Sequence, residues 1–488
     1  MRAQDQVKLT ELNKKLWDMV TVLSVCGIGT TDYLTALTYI IFLKMDQELD
    51  DFGLSSRLPP HCRWNALVHP EHPVSAEEML DHYEEILATL SADTYPDALV
   101  RNIFAQAQNK ITQPLYLAKV IALIDSEDWF DLGHDIKGAL YEGLLAKIGQ
   151  DQKNNNSGQY FTPRPLMQTL VELIDPQIDE VVWDPTCGTG GFLLAAFSHM
   201  SKQTLDTDKL KRLIECGIHG QDNTPLVVTM AAMNMFLHGF EGKVSPITLG
   251  DSLLGLPETL ADVVLCSPPF GDRAIGSIPI ERADFITHTN NNQLNFLQHI
   301  MSLLKYGGRA AVIMPENALF DKEGSAIRKT LLTKFNLHTI LRLPWNLFYV
   351  DRINLYVLFF TKGEATTDVW YYDLWTGKKF TPTLHPITCS DFADFVQCYR
   401  ATSSGHYGPR EPTYDVKSNP NGRWRKFEVD YFLSSDYCRL NVPSWMETPK
   451  NAIEQMDLPQ LLEFTQQRLT TLQNAYEYLQ QALGPKKE

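Results

Sequence analysis

The stretch Val182-Trp-Asp184-Pro185-Thr186-Cys187-Gly188-Thr189-Gly190-Gly191-Phe192-Leu193 decides how this chain is read. A short apolar run ends in an aspartate, turns through glycines and opens an apolar helix. Glycine lets backbone approach a ligand closely where a Cβ would clash. In an open parallel sheet the carboxyl end of such a strand, beside a helix start, is the usual ligand crevice. Taken alone, a glycine-rich turn is also a plain tight turn. The order strand, DPTCGTGG, helix argues for more. Its spacing matches neither the dinucleotide GxGxxG nor the triphosphate GxxxxGK[ST] pattern. A ligand with no phosphate but a charged amino-acid part fits better. Asp184 then holds a cationic amino group of the kind S-adenosylmethionine carries, and Thr186, Gly188, Thr189, Gly190 and Gly191 form the loop around it.

Downstream, His219-Gly220-Gln221-Asp222 follows a second short run, and Leu249-Gly250-Asp251-Ser252 a third. An acid ending the second strand is placed to accept from ribose hydroxyls. Asp222 takes that role, with a helix N-cap as the alternative. Asp251 is a candidate acceptor for an adenine amino group, or a solvent-facing turn residue. Short apolar runs at Glu180–Trp183, Gly217–Gly220, Ala261–Cys266, Arg309–Met314, Leu337–Leu343 and Leu355–Thr361 alternate with helical stretches. That alternation predicts an α/β fold, a mostly parallel sheet with helices on both faces. The last two runs lie close enough to form an antiparallel pair at one edge.

The run Ala261–Cys266 leads into Ser267-Pro268-Pro269-Phe270-Gly271. The prolines stiffen the turn and remove two N–H donors. What remains is acceptor-rich: the Ser267 side chain and the carbonyls around Pro268, next to the flat face of Phe270. An exocyclic amine on a nucleobase is a poor nucleophile, because its lone pair is delocalised into the ring. Acceptors on both amine hydrogens draw the nitrogen toward tetrahedral geometry, and proximity to a methyl sulfonium does the rest. The base must first leave the duplex, and Phe270 is placed to stack on it. Ser267, Pro268, Pro269 and Phe270 are the candidate catalytic residues, and no metal is required.

Residues 1–150 read as a helical domain, with amphipathic stretches at Leu9–Leu23, Tyr33–Met45, Glu77–Ser91 and Pro96–Ala107. Thr30-Thr-Asp is read as the cap of the second helix. Residues 151–400 form the catalytic domain, 401–455 a loop-rich region and 456–488 a C-terminal helix. In that tail Leu462, Leu469, Tyr476 and Leu483 are seven apart, so the helix either packs on its own domain or meets another subunit. Asp151–Gly158 reads as a linker or mobile loop. The eight cysteines are scattered without CxxC or Cys/His spacing, which predicts neither a zinc site nor disulfides. No leader pattern or membrane-length apolar stretch is seen, and a cytoplasmic protein is expected.

Together these motifs resemble the modification subunit of type I restriction-modification systems, over residues 10–400. Ser157-Gly-Gln-Tyr160-Phe161-Thr162-Pro-Arg-Pro looks like the family's entry into the catalytic domain, and DPTCGTGGFL like its cofactor loop. Asn295-Phe-Leu-Gln-His, Tyr306-Gly-Gly-Arg through Phe320, and Leu341-Arg-Leu-Pro follow in the family's order. Leu16-Trp-Asp and Leu37-Thr-Tyr-Ile-Ile-Phe-Leu-Lys-Met resemble its helical domain. The resemblance implies a Rossmann-like S-adenosylmethionine-dependent methyltransferase sheet, with Tyr160, Phe161 and Thr162 over the cofactor. It also implies double-stranded DNA as substrate and a complex of two such subunits with one specificity subunit, which a restriction subunit can join. The net charge of −16 fits that division, since phosphate contact calls for basic side chains that a partner can bring. One departure stands out. The family usually carries Asn-Pro-Pro-Phe or Asn-Pro-Pro-Tyr and methylates adenine N6. Ser267 gives the Ser-Pro-Pro pattern of enzymes that methylate cytosine N4, so both bases stay open, as does an inactive scaffold.

Overall fold

The computed structural model describes residues 3–127 except 26, 54 and 69–73, and residues 129, 138 and 141–143. It also describes 162–443 except 241, 243, 346, 349–352, 376, 377, 379, 382–384 and 401–409, together with 462, 466 and 469. The Asn-rich stretch 151–158, Tyr160, Phe161 and nearly all of the 456–488 tail therefore lie outside the described residues.

Among the described residues nine strands form one sheet: β1 (Val182–Asp184), β2 (Ile218–Asp222), β3 (Ile247–Leu249), β4 (Ala261–Cys266), β5 (Leu304–Pro315), β6 (Phe335–Arg342), β7 (Leu355–Lys362), β8 (Asp368–Asp373) and β9 (Trp424–Glu428). Their spatial order is β3-β2-β1-β4-β5-β7-β6-β8-β9. The pairs from β3 through β5 are all parallel. Along β1, β4 and β5 successive residues enter two different cores. Val182, Val263, Leu265, Ala311 and Ile313 face one side, and Trp183, Val264, Cys266, Ala310 and Val312 the other. This period of two, apolar on both faces, is why these strands read as continuous hydrophobic runs. Helices Arg164–Ile174 and Gly191–Ser201 cover the first face, and Asn292–Leu303 and Ser325–Lys334 the second.

The expected antiparallel pairing of β6 with β7 is present, but not at an edge. Strand β7 lies between β5 and β6, and β8 and β9 continue the sheet beyond. Within the 401–455 region, read as loop-rich, lies β9. There fully buried Trp424 stacks on Trp370 with ring centroids 5.2 Å apart. A single Trp inside a Gly, Pro and Asn-rich setting carries too little periodicity to be read as a strand. Among described residues the second helix starts at Thr30 itself. Its N-cap is Gly29, without a side-chain cap bond, so Thr30-Thr-Asp is its first turn and not its cap.

The N-terminal helices share their apolar core with the helix Pro225–Leu237. That helix sends Val228, Ala231 and Met235 to the sheet and Met230, Met233, Phe236 and Leu237 to the helical region. A helix apolar all round is one buried on all sides. On the opposite face, fully buried Arg328 donates to the carbonyls of Cys438 (2.9 Å), Ala318 (2.9 Å), Asp321 (2.5 Å) and Tyr437 (2.8 Å). It thereby ties the 436–440 segment to the sheet layer. Arg328→Met takes the guanidinium donors from all four carbonyls, and the Asp321 carbonyl keeps the Gly324 N–H at 3.2 Å. The expected loss is about 3 kcal/mol of unfolding free energy in urea titrations, a typical cost for breaking such a buried charged network.

Candidate functional site

The strand order reverses between β1 and β4, and their carboxyl ends open a cavity of about 690 Å³. Such a switch point parts the loops that leave neighbouring strands and creates a crevice. Three of those loops are tied together. The Thr186 hydroxyl pairs with the Cys266 thiol at 3.2 Å and donates to the Ser267 carbonyl at 3.4 Å. Ser252 Oγ donates to the Pro185 carbonyl at 2.7 Å. Gly188 and Gly190 turn the first loop at φ +53° and +83°, in the left-handed region that a side chain disfavours. Gly190 caps the helix Gly191–Ser201. From below, the amide of buried Asn234 donates to the Thr189 carbonyl at 2.9 Å and fixes the loop's height.

Asp184 is only 1% exposed yet faces the cavity. Its carboxylate accepts from the Thr186 N–H at 3.0 Å. Burial, with Asp222 nearby, pushes its pKa up to about 8 against the Thr186 hydrogen bonds, and among the described residues no cation opposes that shift. Asp222 accepts from the Thr224 N–H at 2.9 Å, and burial raises its pKa too. Asp251 accepts from the Leu253 N–H (3.0 Å) through one oxygen and from Arg273 (3.0 Å) through the other.

A cationic ligand that needs the Asp184 carboxylate must displace its proton. Affinity is then expected to rise up to about tenfold per pH unit from pH 6 toward 8, the folded pKa. An α-amino group itself loses charge near pH 8, so affinity should peak there. Calorimetry of S-adenosylmethionine binding across pH, in buffers of different ionisation enthalpy, reads both the slope and the released proton. Asp184→Asn should flatten the rising limb.

On the other wall, Pro268 is buried, and Ser267, Pro269 and Phe270 are half-buried and line the cavity. The turn is seated on the start of the helix Asn292–Leu303. The Gly271 N–H donates to Gln293 Oε1 (2.9 Å), and the Asn292 N–H donates to the Gly271 carbonyl (2.8 Å).

The cavity thus brings together Thr162, Asp184, Thr186, Gly188, Thr189, Gly191, Asp222, Asp251 and the four residues Ser267–Phe270. Gly190 shapes the loop without lining the cavity, and Tyr160 and Phe161 lie outside the described residues. Sequence reasoning missed Arg273, Asn223, Asn292 and Phe296 in the lining, and Asn234 and Gln293 beneath it. The Asn290-Asn-Asn run ahead of an apolar helix was the one available signal, since Asn291 caps that helix through the Leu294 N–H. Among the described residues no group of three or more His, Cys, Asp or Glu side chains is arranged to hold a metal ion. No described helix is long and apolar enough to cross a membrane.

A sheet parallel from β3 through β5, with a glycine loop, three carboxylates and a Ser-Pro-Pro-Phe turn around one cavity, defines a methyltransferase-type site. The profile of the N-6 DNA Methylase family matches residues 132–450. The methylase subunit of the type I restriction enzyme StySPI of Salmonella potsdam is 35% identical, covering 92% of this chain and 90% of its own. The EcoKI methylase subunit of Escherichia coli K12 is 34% identical with the same coverage. The EcoKI M protein crystal structure superposes with TM-score 0.54 over 98% of this chain and 97% of its own, at 31% identity. A chain from a type I R-M system structure reaches TM-score 0.72 over 98% and 99%, at 26% identity. The chain belongs to the N-6 DNA methylase family, among the methylase subunits of type I restriction enzymes.

Proposed function

We propose that this methylase subunit transfers a methyl group from S-adenosylmethionine to the N6 amine of an adenine flipped out of double-stranded DNA. The observation that carries the reading is the shared cavity, where a buried carboxyl hydrogen-bonded to Thr186 faces a rigid acceptor-rich turn. The residues present fit the donor. Among the described residues no cation faces buried Asp184, and the turn at Gly188 and Gly190 leaves backbone room beside it. Asp184 would hold the ammonium, Asp222 the ribose and Asp251 the adenine edge, with Tyr160, Phe161 and Thr162 alongside. When bound, S-adenosylmethionine supplies an electrophilic methyl group.

The chain's own part is positioning. Ser267 Oγ and the carbonyl near Pro268 accept the two amine hydrogens and localise the nitrogen lone pair. The prolines keep those acceptors from rearranging, and Phe270 stacks on the extruded base. Pre-set acceptors of this kind act in a water-poor cavity, where they are worth more than in bulk solvent. The methyl-bearing amine then releases its surplus proton toward the same acceptors.

The chain works in the cytoplasm with a specificity subunit, a second modification subunit and, for cleavage, a restriction subunit. The partner brings sequence readout and much of the phosphate contact, in keeping with the net charge of −16. The family description names an N-6 DNA methylase, and position 6 carries the exocyclic amine in adenine, whereas Ser267 is the residue that points to cytosine N4. Co-expression with the specificity subunit followed by modified-base sequencing tests this. N6-methyladenine at one recurring site is expected. N4-methylcytosine alone would overturn the adenine assignment, and unmodified DNA would return the chain to a scaffold.

A further inference from the structure

Residues 271–291 run from the Ser267–Phe270 turn to the helix Asn292–Leu303, and their first part lines the rim of the cavity. The foot of this segment is fixed. Asp272 bridges Asn291 in antiparallel fashion, and the Arg273 N–H donates to the Asn290 carbonyl at 2.8 Å. The Arg273 guanidinium, its side chain 13% exposed, reaches both Asp251 (3.0 Å) and the Ile278 carbonyl (3.1 Å). It thereby clamps the segment to the loop after β3.

The tip is a tight turn of type II character. The Ser277 N–H donates to the Ala274 carbonyl at 3.1 Å, and Gly276 sits at φ +87°, the position where such a turn requires glycine. Ile275 is therefore held at the apex, fully exposed at 106% relative accessibility. From Ala274 to Ile280 there is no ionisable side chain. A single exposed isoleucine needs no explanation in general. This one stands on a stapled turn whose neighbours Ala274, Ser277 and Ile278 line the same cavity as Ser267 and Phe270.

We propose that Ile275 is a positioning residue that enters the base stack where the target nucleotide leaves it. The inference rests on the DNA-methyltransferase reading above. Extruding a base breaks its pairing and stacking and leaves a gap in the duplex. An apolar wedge fills that gap, buries its own exposed surface and opposes the base's return. A pre-formed turn makes the wedge available without ordering a loop. The absence of charge at the tip suits a base stack better than phosphates.

The test uses the complex with its specificity subunit and two duplexes carrying the methylated site. One is fully paired. In the other the target base faces an abasic position, so little flipping work remains. For Ile275→Ala, kcat/KM on the paired duplex is expected to fall roughly ten- to a hundredfold. On the abasic-opposed duplex it should fall less than about threefold, and Ile275→Leu should restore most of the paired rate. Equal losses on both duplexes would make Ile275 a subunit contact or a structural residue and overturn the proposal, as would no loss on either. If the wild-type complex methylates neither duplex, the methyltransferase reading itself fails, and the proposal with it.

Discussion

Asp184→Asn is expected to weaken S-adenosylmethionine binding by roughly thirty- to several thousandfold while leaving the protein at least as stable as the wild type. Removing one partner of a buried charge pair costs about 2–5 kcal/mol, which is roughly thirty- to several thousandfold in Kd. Stability should move the other way. The Asp184 pKa, about 8 in the fold, lies far above its unfolded value near 4. As pH rises through that window the wild-type fold loses stability that a neutral amide keeps. The amide oxygen still accepts the Thr186 N–H that now bonds Asp184. Thermal melts without ligand at pH 7.5 should show an unchanged or higher Tm for the variant, and calorimetry should show the lost affinity. A variant that binds normally would remove Asp184 from the donor site. One that simply unfolds would mean the carboxyl is structural.

Phe270→Ala is expected to lower methyl transfer about five- to a hundred-and-fiftyfold, the range implied by 1–3 kcal/mol for stacking one base on an aromatic ring. Cofactor affinity should stay within about twofold, because the carboxylates and glycine loop are carried by β1, β2 and β3 and not by the turn after β4. Phe270 is half-buried against the core on one sheet face, so some stability loss accompanies the substitution. Single-turnover transfer at saturating donor separates the two effects. Equal losses in donor binding and in transfer would place Phe270 against the donor instead of the base.

Much of the cavity was legible because its walls are local. Strand β1 and its loop, or β4 and its turn, each sit within about a dozen consecutive residues, and their composition betrays their conformation. What closes the cavity was not. Arg273 meets Asp251 across 22 residues of chain, and Asn234 reaches Thr189 across 45. Neither pairing leaves a periodic trace. Strand β8, Asp368-Val-Trp-Tyr-Tyr-Asp, is not among the apolar runs read from the sequence, and takes its ladders from β6 on one side and β9 on the other. Sheet positions of this kind depend on which strand arrives later in the chain. The capping misreading at Thr30 has a similar origin. Gly29 can serve as N-cap with no side-chain bond, and a threonine at the first helical position looks like a cap from sequence alone.

The central claim is that one crevice holds the methyl donor at Asp184 and presents it to the turn Ser267–Phe270. A crystal structure of this chain with S-adenosylmethionine bound measures that directly. The account predicts the donor's ammonium within hydrogen-bond distance of Asp184 and its methyl carbon turned toward Ser267 and Phe270. A donor seated elsewhere, or with its methyl facing away from that turn, would contradict it.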